Sequence, residues 1–322
     1  GNVTRVLESD LTTLSQYLKT NFDYDTGPFN DLPDETPAKR FLLRSDYNLS
    51  NANKISFRYN HLNSFTDVGM SGSTSAGRGR SINSSSFLTF QNTNYKILEN
   101  IRSGIGEWNW VIGNSVANSF QSGFTYQEES RPPRGGVFPF VEIYEGGSSY
   151  TAFGFEPFSY NNELRYKTFQ IQDNLTKFTN SHSLTFGAYA ERYQSENVFF
   201  SCCPQSAYSY NSLADFYADA NGYLANRNRT TSPITARQYL VRYSNIPGND
   251  KAIQPLDVWY FAGYAQDEWR PGGNVTVTAG VRFDVANFKE TAFGNPAADA
   301  PTFRDPDGSP VQIQTGLKPE PK

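Results

Sequence analysis

The alternation of apolar and polar positions is clearest between residues 275 and 285. Every even position there is polar or glycine, and every odd position is apolar: Val275, Val277, Ala279, Val281, Phe283 and Val285. Such period-two alternation predicts a β-strand with one apolar and one polar face. The turn Pro271-Gly272-Gly273 joins this strand to an earlier one at 258–270. We therefore predict a short-turn hairpin over residues 257–287.

A second hairpin of the same design is predicted at residues 161–198. The pair Gln172-Asp173 corresponds to Gln266-Asp267, and Gly187 corresponds to Gly280. The turn of this copy lies near Asn180-Ser181. Two copies of the same hairpin motif in the sequence indicate an architecture built by repetition.

Other segments add strands and one helix. Alternating residues predict strands at 41–49, 55–60 and 120–127, and residues 87–111 are predicted to form one long strand. The total is eight strands. Residues 9–20 carry Leu11, Leu14 and Leu18 at helical spacing, so they predict a helix that Ser9 or Asp10 caps. A strand-like patch is predicted at 237–243 inside a long connection.

The connections alternate in length. Short turns are expected near residues 50–53, 112–116, 178–182 and 271–273, whereas long links occupy 62–86, 129–160, 199–256 and the residues from 288 onward. Short turns on one side and long loops on the other are typical of bacterial outer-membrane β-barrels. The sequence thus predicts an all-β, antiparallel transmembrane barrel segment with long extracellular loops. A secreted β-sandwich is the alternative in which the tryptophans are core residues.

Composition agrees with a chain that exposes one apolar face. The 322 residues are 37% hydrophobic and 15% aromatic, with a mean hydropathy of −0.59. The net charge of −4 gives no basic footprint for nucleic acid. Cys202 and Cys203 form either a vicinal disulfide or two unpaired thiols. The chain starts at Gly1 without a signal pattern, so we expect a fragment of a longer protein.

The hairpin motif resembles the barrel of TonB-dependent outer-membrane receptors. The likeness is carried by Tyr264-Ala-Gln-Asp-Glu-Trp269, its short turn and Ala279-Gly-Val-Arg-Phe-Asp284. Residues 138–143, 153–157 and 169–174 and the tail at 307–321 resemble the Oar-like subgroup. The resemblance implies about 22 strands around a plugged lumen. It also implies a TonB box and a plug, neither of which has a counterpart in this sequence.

The resemblance divides the chain into three parts. Residues 1–38 are expected to form an extracellular loop segment with a short helix. Residues 39–287 form the partial barrel, and residues 288–322 form an extracellular loop that leads to a missing strand.

Candidate residues fall into three groups. Trp108, Trp110, Trp259 and Trp269 are expected in the aromatic girdles, and Asp173 and Asp267 at the periplasmic membrane boundary. Arg44, Asp46, Arg58, Arg282 and Asp284 are expected to face the lumen and to neutralise one another. Aromatic residues of the long loop 199–256 are the ligand-binding candidates: Tyr208, Tyr210, Phe216, Tyr217 and Tyr223.

The sequence carries no motif of an enzyme. His61 and His182 are separate, and no hydrolase elbow, metalloprotease helix or phosphate loop is present, so we expect no catalysis, metal or cofactor. The leading hypothesis is part of a receptor that binds an unknown extracellular solute and imports it. Its partners would be outer-membrane lipid and, through the missing plug region, the TonB complex. The alternative is a structural or adhesive barrel that binds proteins or polysaccharide without import.

Overall fold

The computed structural model describes residues 3–72, 83–159, 162–199, 205–244, 248, 250–251, 253–291 and 293–319. Cys202 and Cys203 lie outside the described residues, as do residues 73–82 of the predicted link at 62–86. No helix within these described ranges is both long enough and apolar enough to cross a membrane.

Eight long antiparallel strands form the main sheet, which we call the wall. Their order in the wall follows the chain without a crossover. The strands are β1 (Ala38–Ser50), β2 (Asn53–Val68), β5 (Asn100–Ile112), β6 (Val116–Glu128), β9 (Asn162–Phe178), β10 (His182–Phe199), β13 (Ile253–Gly272) and β14 (Val275–Glu290). β1 and β14 are its two edges, and no pairing between them closes the wall within the described residues. The all-β antiparallel prediction and the count of eight strands are confirmed.

Two details of the wall differ from the prediction. β2 continues to Val68, where its last residues pair with the short strand β4 (Tyr95–Leu98). The single strand predicted at 87–111 is wrong in its first half. There the chain forms β3 (Leu88–Thr89) and a 3₁₀ turn (Gln91–Thr93) before β4, and the long strand β5 begins only at Asn100.

The long connections build a second layer, which we call the cap layer. Its elements, besides β3, are α1 (Glu8–Phe22), β7 (Phe140–Glu145), β8 (Ser148–Phe153), β11 (Ala207–Tyr210), α2 (Leu213–Ala225) and β12 (Gln238–Leu240). Its five-stranded sheet has the order β12-β11-β7-β8-β3. β12 confirms the predicted patch at 237–243. The links at 129–160 and 199–256 are long, as predicted, but they also contain β7, β8, β11 and α2, which were not predicted. Distant segments of the two links pair with each other.

The buried apolar core lies in the cap layer. Leu11, Leu14 and Leu18 from α1 meet Ile143, Phe153 and Phe216 in one cluster. The wall, by contrast, leaves its large apolar side chains exposed, with Phe283 at 75% and Phe41 at 57%. The apolar residues of the long links therefore pack together, and those of the wall strands face outward from the protein.

The helix predicted at 9–20 is confirmed, but its predicted cap is wrong. The N-cap is Leu7, which makes no side-chain capping bond. The carboxylate of Asp10 instead accepts a 2.6 Å hydrogen bond from the hydroxyl of Tyr150 in β8. A contact with another element thus replaces the local one.

Arg134, in the link between β6 and β7, connects the end of β2 with the segment that follows α1. Its guanidinium contacts Asp67 near the end of β2 at 3.2 Å and Asp34 at 3.1 Å. The same group donates to the carbonyl of Pro33 at 2.7 Å. The chain after β14 forms only small elements: α3 (Pro296–Asp299) and the hairpin of β15 (Thr302–Arg304) and β16 (Pro310–Gln312).

Candidate functional site

The register of the wall separates its two faces. Phe57, Gly104, Phe124, Phe169 and Phe261 share one face with Phe283, because directly paired residues lie on the same side of a sheet. This is the apolar face. The opposite, polar face carries Arg44, Asp46, Arg58, Arg282 and Asp284, as predicted.

Charges on the polar face neutralise one another. Arg44 pairs with Asp46 at 2.8 Å, and Lys54 contacts the same carboxylate at 3.2 Å. Arg282 pairs with Asp284 at 2.8 Å. The expectation of mutual neutralisation is confirmed for Arg44, Asp46, Arg282 and Asp284.

Polar residues bound the apolar face at both ends of β13. Asp257 and Asp267 share this face and are separated by ten positions. Ten residues span about 33 Å along a strand, or about 25 Å along the axis of a barrel whose strands tilt by about 40°. Between the two carboxylates the face carries Trp259, Phe261, Gly263 and Ala265. An apolar band of this height matches the hydrocarbon thickness that barrels present to lipid.

Aromatic and polar side chains meet at the short-turn end of the apolar face. His182 Nδ1 lies 2.8 Å from the Asp267 carboxylate, and its ring stacks on Trp269 with 6.0 Å between the centroids. Asn118 donates to Asp173 at 2.6 Å. Asp173 and Asp267 each lie five residues before the last residue of their strands. This placement agrees with the predicted boundary position of both aspartates.

A cavity of about 410 Å³ lies in the cap layer between α1, α2, β7 and β11. Its lining is mainly aromatic and aliphatic: Leu18, Phe22, Phe138, Pro139, Val141, Tyr208, Tyr210, Phe216, Asp219, Ala220, Tyr223 and Arg229. We call it the aromatic cavity. Its volume falls within the range of pockets for small ligands.

Four of the five predicted ligand-binding residues line the aromatic cavity. Tyr208 and Tyr210 come from β11, and Phe216 and Tyr223 from α2. Tyr210 and Phe216 are each only 5% exposed and belong to the cap-layer core, whereas Tyr223 is 41% exposed. Tyr217 is not among the lining residues and packs edge-on against Tyr17, with 4.9 Å between the centroids. A ligand-binding role for the five remains a prediction.

One carboxylate organises the polar end of the aromatic cavity. Asp219 accepts hydrogen bonds from the hydroxyl of Tyr210 at 2.8 Å, from Ser232 at 2.5 Å and from Arg229 at 2.5 Å. Arg229 Nη1 is also buried but has no acceptor among the described residues. The pair of Asp219 and Arg229 leaves the cavity without net charge and with one spare donor.

These contacts shift two pKa values. Burial and then the bond to Asp219 raise the pKa of the Tyr210 hydroxyl above its ordinary value. Burial alone would raise the pKa of the Asp219 carboxyl, but the bonds from Ser232, Tyr210 and Arg229 outweigh burial and lower it. At neutral pH Tyr210 is therefore a donor and Asp219 an anion.

Sequence reasoning missed Asp219, Arg229, Phe22 and Phe138 as lining residues. A signal for part of the cavity was present, because Phe216, Asp219, Ala220 and Tyr223 have the helical spacing i, i+3, i+4, i+7. The long connection at 199–256 is rich in Tyr, Asn and Ser, and for this reason the helix was not predicted. Phe22 and Phe138 reach the cavity only through tertiary packing.

The fold and the two faces together define a class of protein. A meander of long antiparallel strands with an apolar outer face, a polar inner face and short turns at one end is an outer-membrane β-barrel wall. The chain belongs to the family of outer membrane β-barrel domains, whose sequence profile matches residues 5–312. The protein is therefore located in the outer membrane, with its apolar face toward lipid and its polar face toward the lumen.

A solved outer-membrane transporter shares this fold. The outer membrane transporter YddB from Escherichia coli superposes with a TM-score of 0.51 and 13% identity, over 81% of this chain and 29% of that one. The ferric-catecholate import receptor Fiu from Escherichia coli aligns with a TM-score of 0.43 and 13% identity, over 87% and 39% of the two chains. The chain thus spans less than a third of YddB. No curated protein matches its sequence.

Proposed function

We propose that the chain is part of a TonB-dependent outer-membrane receptor of the Oar-like kind, which captures a solute in the aromatic cavity and imports it. The observation that carries this proposal is the folded cap layer, because it places an uncharged, ligand-sized cavity on the long-loop side of the wall. In outer-membrane barrels this side faces the cell exterior. The hairpin motifs at 264–284 and the transporter-like fold support the same class.

The proposed partners follow from this class. Energy would come from the TonB complex, which would act through a plug region that precedes the barrel in such receptors. The solute binds outside, and lipid surrounds the apolar face. We propose no enzymatic step, no cofactor and no nucleic-acid partner. The wall and the cap layer contribute binding and passage only.

The proposal can be tested with the full-length receptor in cells that have or lack an active TonB complex. Candidate peptides, oligosaccharides and ferric chelates would be offered, and surface binding would be measured separately from accumulation. We expect at least one of these solutes to bind in both strains and to accumulate only where TonB is active. Binding without TonB-dependent accumulation of any of them would favour the adhesive alternative and contradict import.

The role of the cavity can be tested with two tyrosines. Tyr223→Ala removes an exposed ring of the aromatic cavity and should weaken surface binding about two- to tenfold, since an aromatic contact contributes about 0.5–1.5 kcal/mol. Tyr243→Ala is the matched control because Tyr243 is 76% exposed and outside the cavity. Equal binding by both variants would exclude the aromatic cavity as the capture site.

A further inference from the structure

The polar face of the wall carries an unbroken series of tyrosines across β9, β10 and β13. Consecutive rows of directly paired, lumen-facing residues each contain one tyrosine. In the order from the short-turn end to the cap layer these are Tyr264, Tyr189, Tyr260, Tyr193 and Tyr166. We call this series the tyrosine track. We propose that the tyrosine track is a binding path on the lumen wall for a neutral oligosaccharide.

The register establishes the continuity of the track. Tyr264 pairs with Gly187, Tyr260 with Glu191, and Tyr166 with Ser195. Tyr189 and Tyr193 fill the two rows between these positions on β10. Rows that share a face are about 6.6–6.8 Å apart, so the five rows cover about 27 Å of strand. A solute that leaves one ring therefore meets the next within a single step.

Three of the five hydroxyl groups are held by hydrogen bonds, and all five residues keep part of their surface exposed. Tyr264 donates to Asn174, Tyr189 donates to Glu191, and Tyr166 donates to Glu129 at 2.8 Å. Tyr260 is 40% exposed, and none of the other four tyrosines is fully buried. Rings that are fixed at one end lose little further entropy when a ligand stacks on them.

The surroundings of the track favour an uncharged, hydroxylated ligand. Gln170, Gln172 and Asn174 lie on the same face of β9 as Tyr166, in the rows of Tyr260, Tyr189 and Tyr264. Amide side chains offer both donors and acceptors, which suits sugar hydroxyl groups. The nearby Arg282 is paired with Asp284, and the carboxylate in the row of Tyr260, Glu191, accepts a hydrogen bond from the hydroxyl of Tyr189. This carboxylate disfavours an anionic solute and can also accept hydrogen bonds from sugar hydroxyl groups. Aromatic faces with adjacent amides match the apolar face and hydroxyl rim of a pyranose ring.

The track extends the proposed function because a solute released by the cap layer would enter the lumen at its upper end. Tyr166 and Tyr193, with 6.1 Å between their ring centroids, form this end of the track. The inference rests on import, but wall binding can be measured without it. Import can fail while the purified receptor still binds sugar along the track, and the reverse can also occur.

The test uses the purified full-length receptor, maltohexaose as the probe and isothermal titration calorimetry. The variant Tyr189→Ala/Tyr193→Ala/Tyr260→Ala removes three consecutive rings of the track. We expect its affinity for maltohexaose to fall about tenfold or more, because each ring contributes a modest stacking term. The corresponding Tyr→Phe triple variant keeps the rings and should bind within about threefold of the wild type.

The matched control removes three rings from the opposite face of the same strands. Phe169→Ala/Phe186→Ala/Phe261→Ala alters residues that are 40%, 53% and 45% exposed toward lipid, and it should leave maltohexaose affinity unchanged. If the triple alanine variant of the track does not fold, Tyr260→Ala alone tests the most exposed ring. The proposal is overturned if the wild type does not bind maltohexaose, if it prefers an extended neutral peptide, or if loss of the rings leaves affinity unchanged.

Discussion

The contact between Gly187 and Tyr264 predicts that a small substitution will destabilise the wall. The two residues are directly paired on β10 and β13, and the tyrosine ring covers the glycine. A Cβ atom at position 187 would lie 2.0 Å from Cζ of this ring and 2.4 Å from its hydroxyl oxygen. Contacts this short do not occur between real atoms, so Gly187→Ala must displace the ring of Tyr264.

The cost follows from what the displaced ring would lose. The Tyr264 hydroxyl donates to Asn174 and accepts from Gln172 at 3.2 Å. Two such bonds are together worth about 1–3 kcal/mol. Alanine in a strand is ordinarily more stable than glycine by about 0.5–1 kcal/mol. The loss of these hydrogen bonds should outweigh the gain from alanine, so we expect Gly187→Ala to lower the stability of the wall by about 1–2 kcal/mol.

The assay is thermal unfolding of the full-length barrel in detergent, read from the loss of the folded band in unheated gel samples. Gly263→Ala is the matched control, because Gly263 lies beside Tyr264 on the opposite face with open space around a Cβ atom. Combining Gly187→Ala with Tyr264→Ala removes the clash, so the double variant should be no less stable than Tyr264→Ala alone. Wild-type stability for Gly187→Ala, or strict additivity of the two changes, would refute the reasoning.

Three further changes test the cap layer and the membrane boundary. Asp219→Ala leaves the partly buried guanidinium of Arg229 without its carboxylate and should lower the stability of the cap layer by about 3 kcal/mol. Amide exchange in α2 (Leu213–Ala225) should then be much faster than in the control variant Asp215→Ala, and equal exchange in the two variants would contradict a stabilising role of the Asp219–Arg229 pair. Hydrogen bonds lower the pKa of Asp219 despite burial, so its contribution is complete above about pH 4 and is lost as the pH falls further. The protection of the α2 amides, corrected for intrinsic exchange, should therefore fall more in the wild type than in Asp219→Ala below about pH 4, and equal falls would contradict this. Phe283→Arg introduces a charge on the lipid face and should make the free energy of folding into vesicles less favourable by about 2–4 kcal/mol, whereas Thr278→Arg on the lumen face should change it little. Equal losses of stability in the two variants would contradict the orientation of the wall.

The wall could be predicted from sequence because its determinants are local. In β14 the period-two pattern defines both faces within one strand, and the contrast between short turns and long links orients each hairpin. Position-specific roles such as those of Asp173 and Asp267 follow from their distance to the turn. The exception is the predicted strand at 87–111, where the real strand starts at Asn100 because β4 pairs with the end of β2.

Apart from α1 and β12, the cap layer could not be predicted, because its determinants are distant in the chain. β11 pairs in parallel with β7, and Ala207 meets Phe140 across 67 positions. Neither strand alternates clearly, because β7 buries Val141, Glu142 and Ile143 in succession and β11 buries Ser209 beside Tyr210. The ligand candidates were chosen for their aromatic chemistry, yet burial makes Tyr210 and Phe216 as much core residues as lining residues.

Mutations should act differently in the two layers, because the cap layer has a buried core and the wall has exposed apolar side chains. The cap layer owes its shape to apolar packing around Phe153 and Phe216, so a change there alters stability and the aromatic cavity together. The wall is stabilised chiefly by its strand pairing and by lipid, so exposed tyrosines such as Tyr260 can be exchanged on the lumen face without removing a packed core. Changes in the aromatic cavity should therefore alter capture at the surface, and changes in the tyrosine track should alter wall binding while capture is preserved. If variants of the aromatic cavity and variants of the tyrosine track instead changed both surface capture and wall binding, the ligand would contact the cap layer and the wall at the same time.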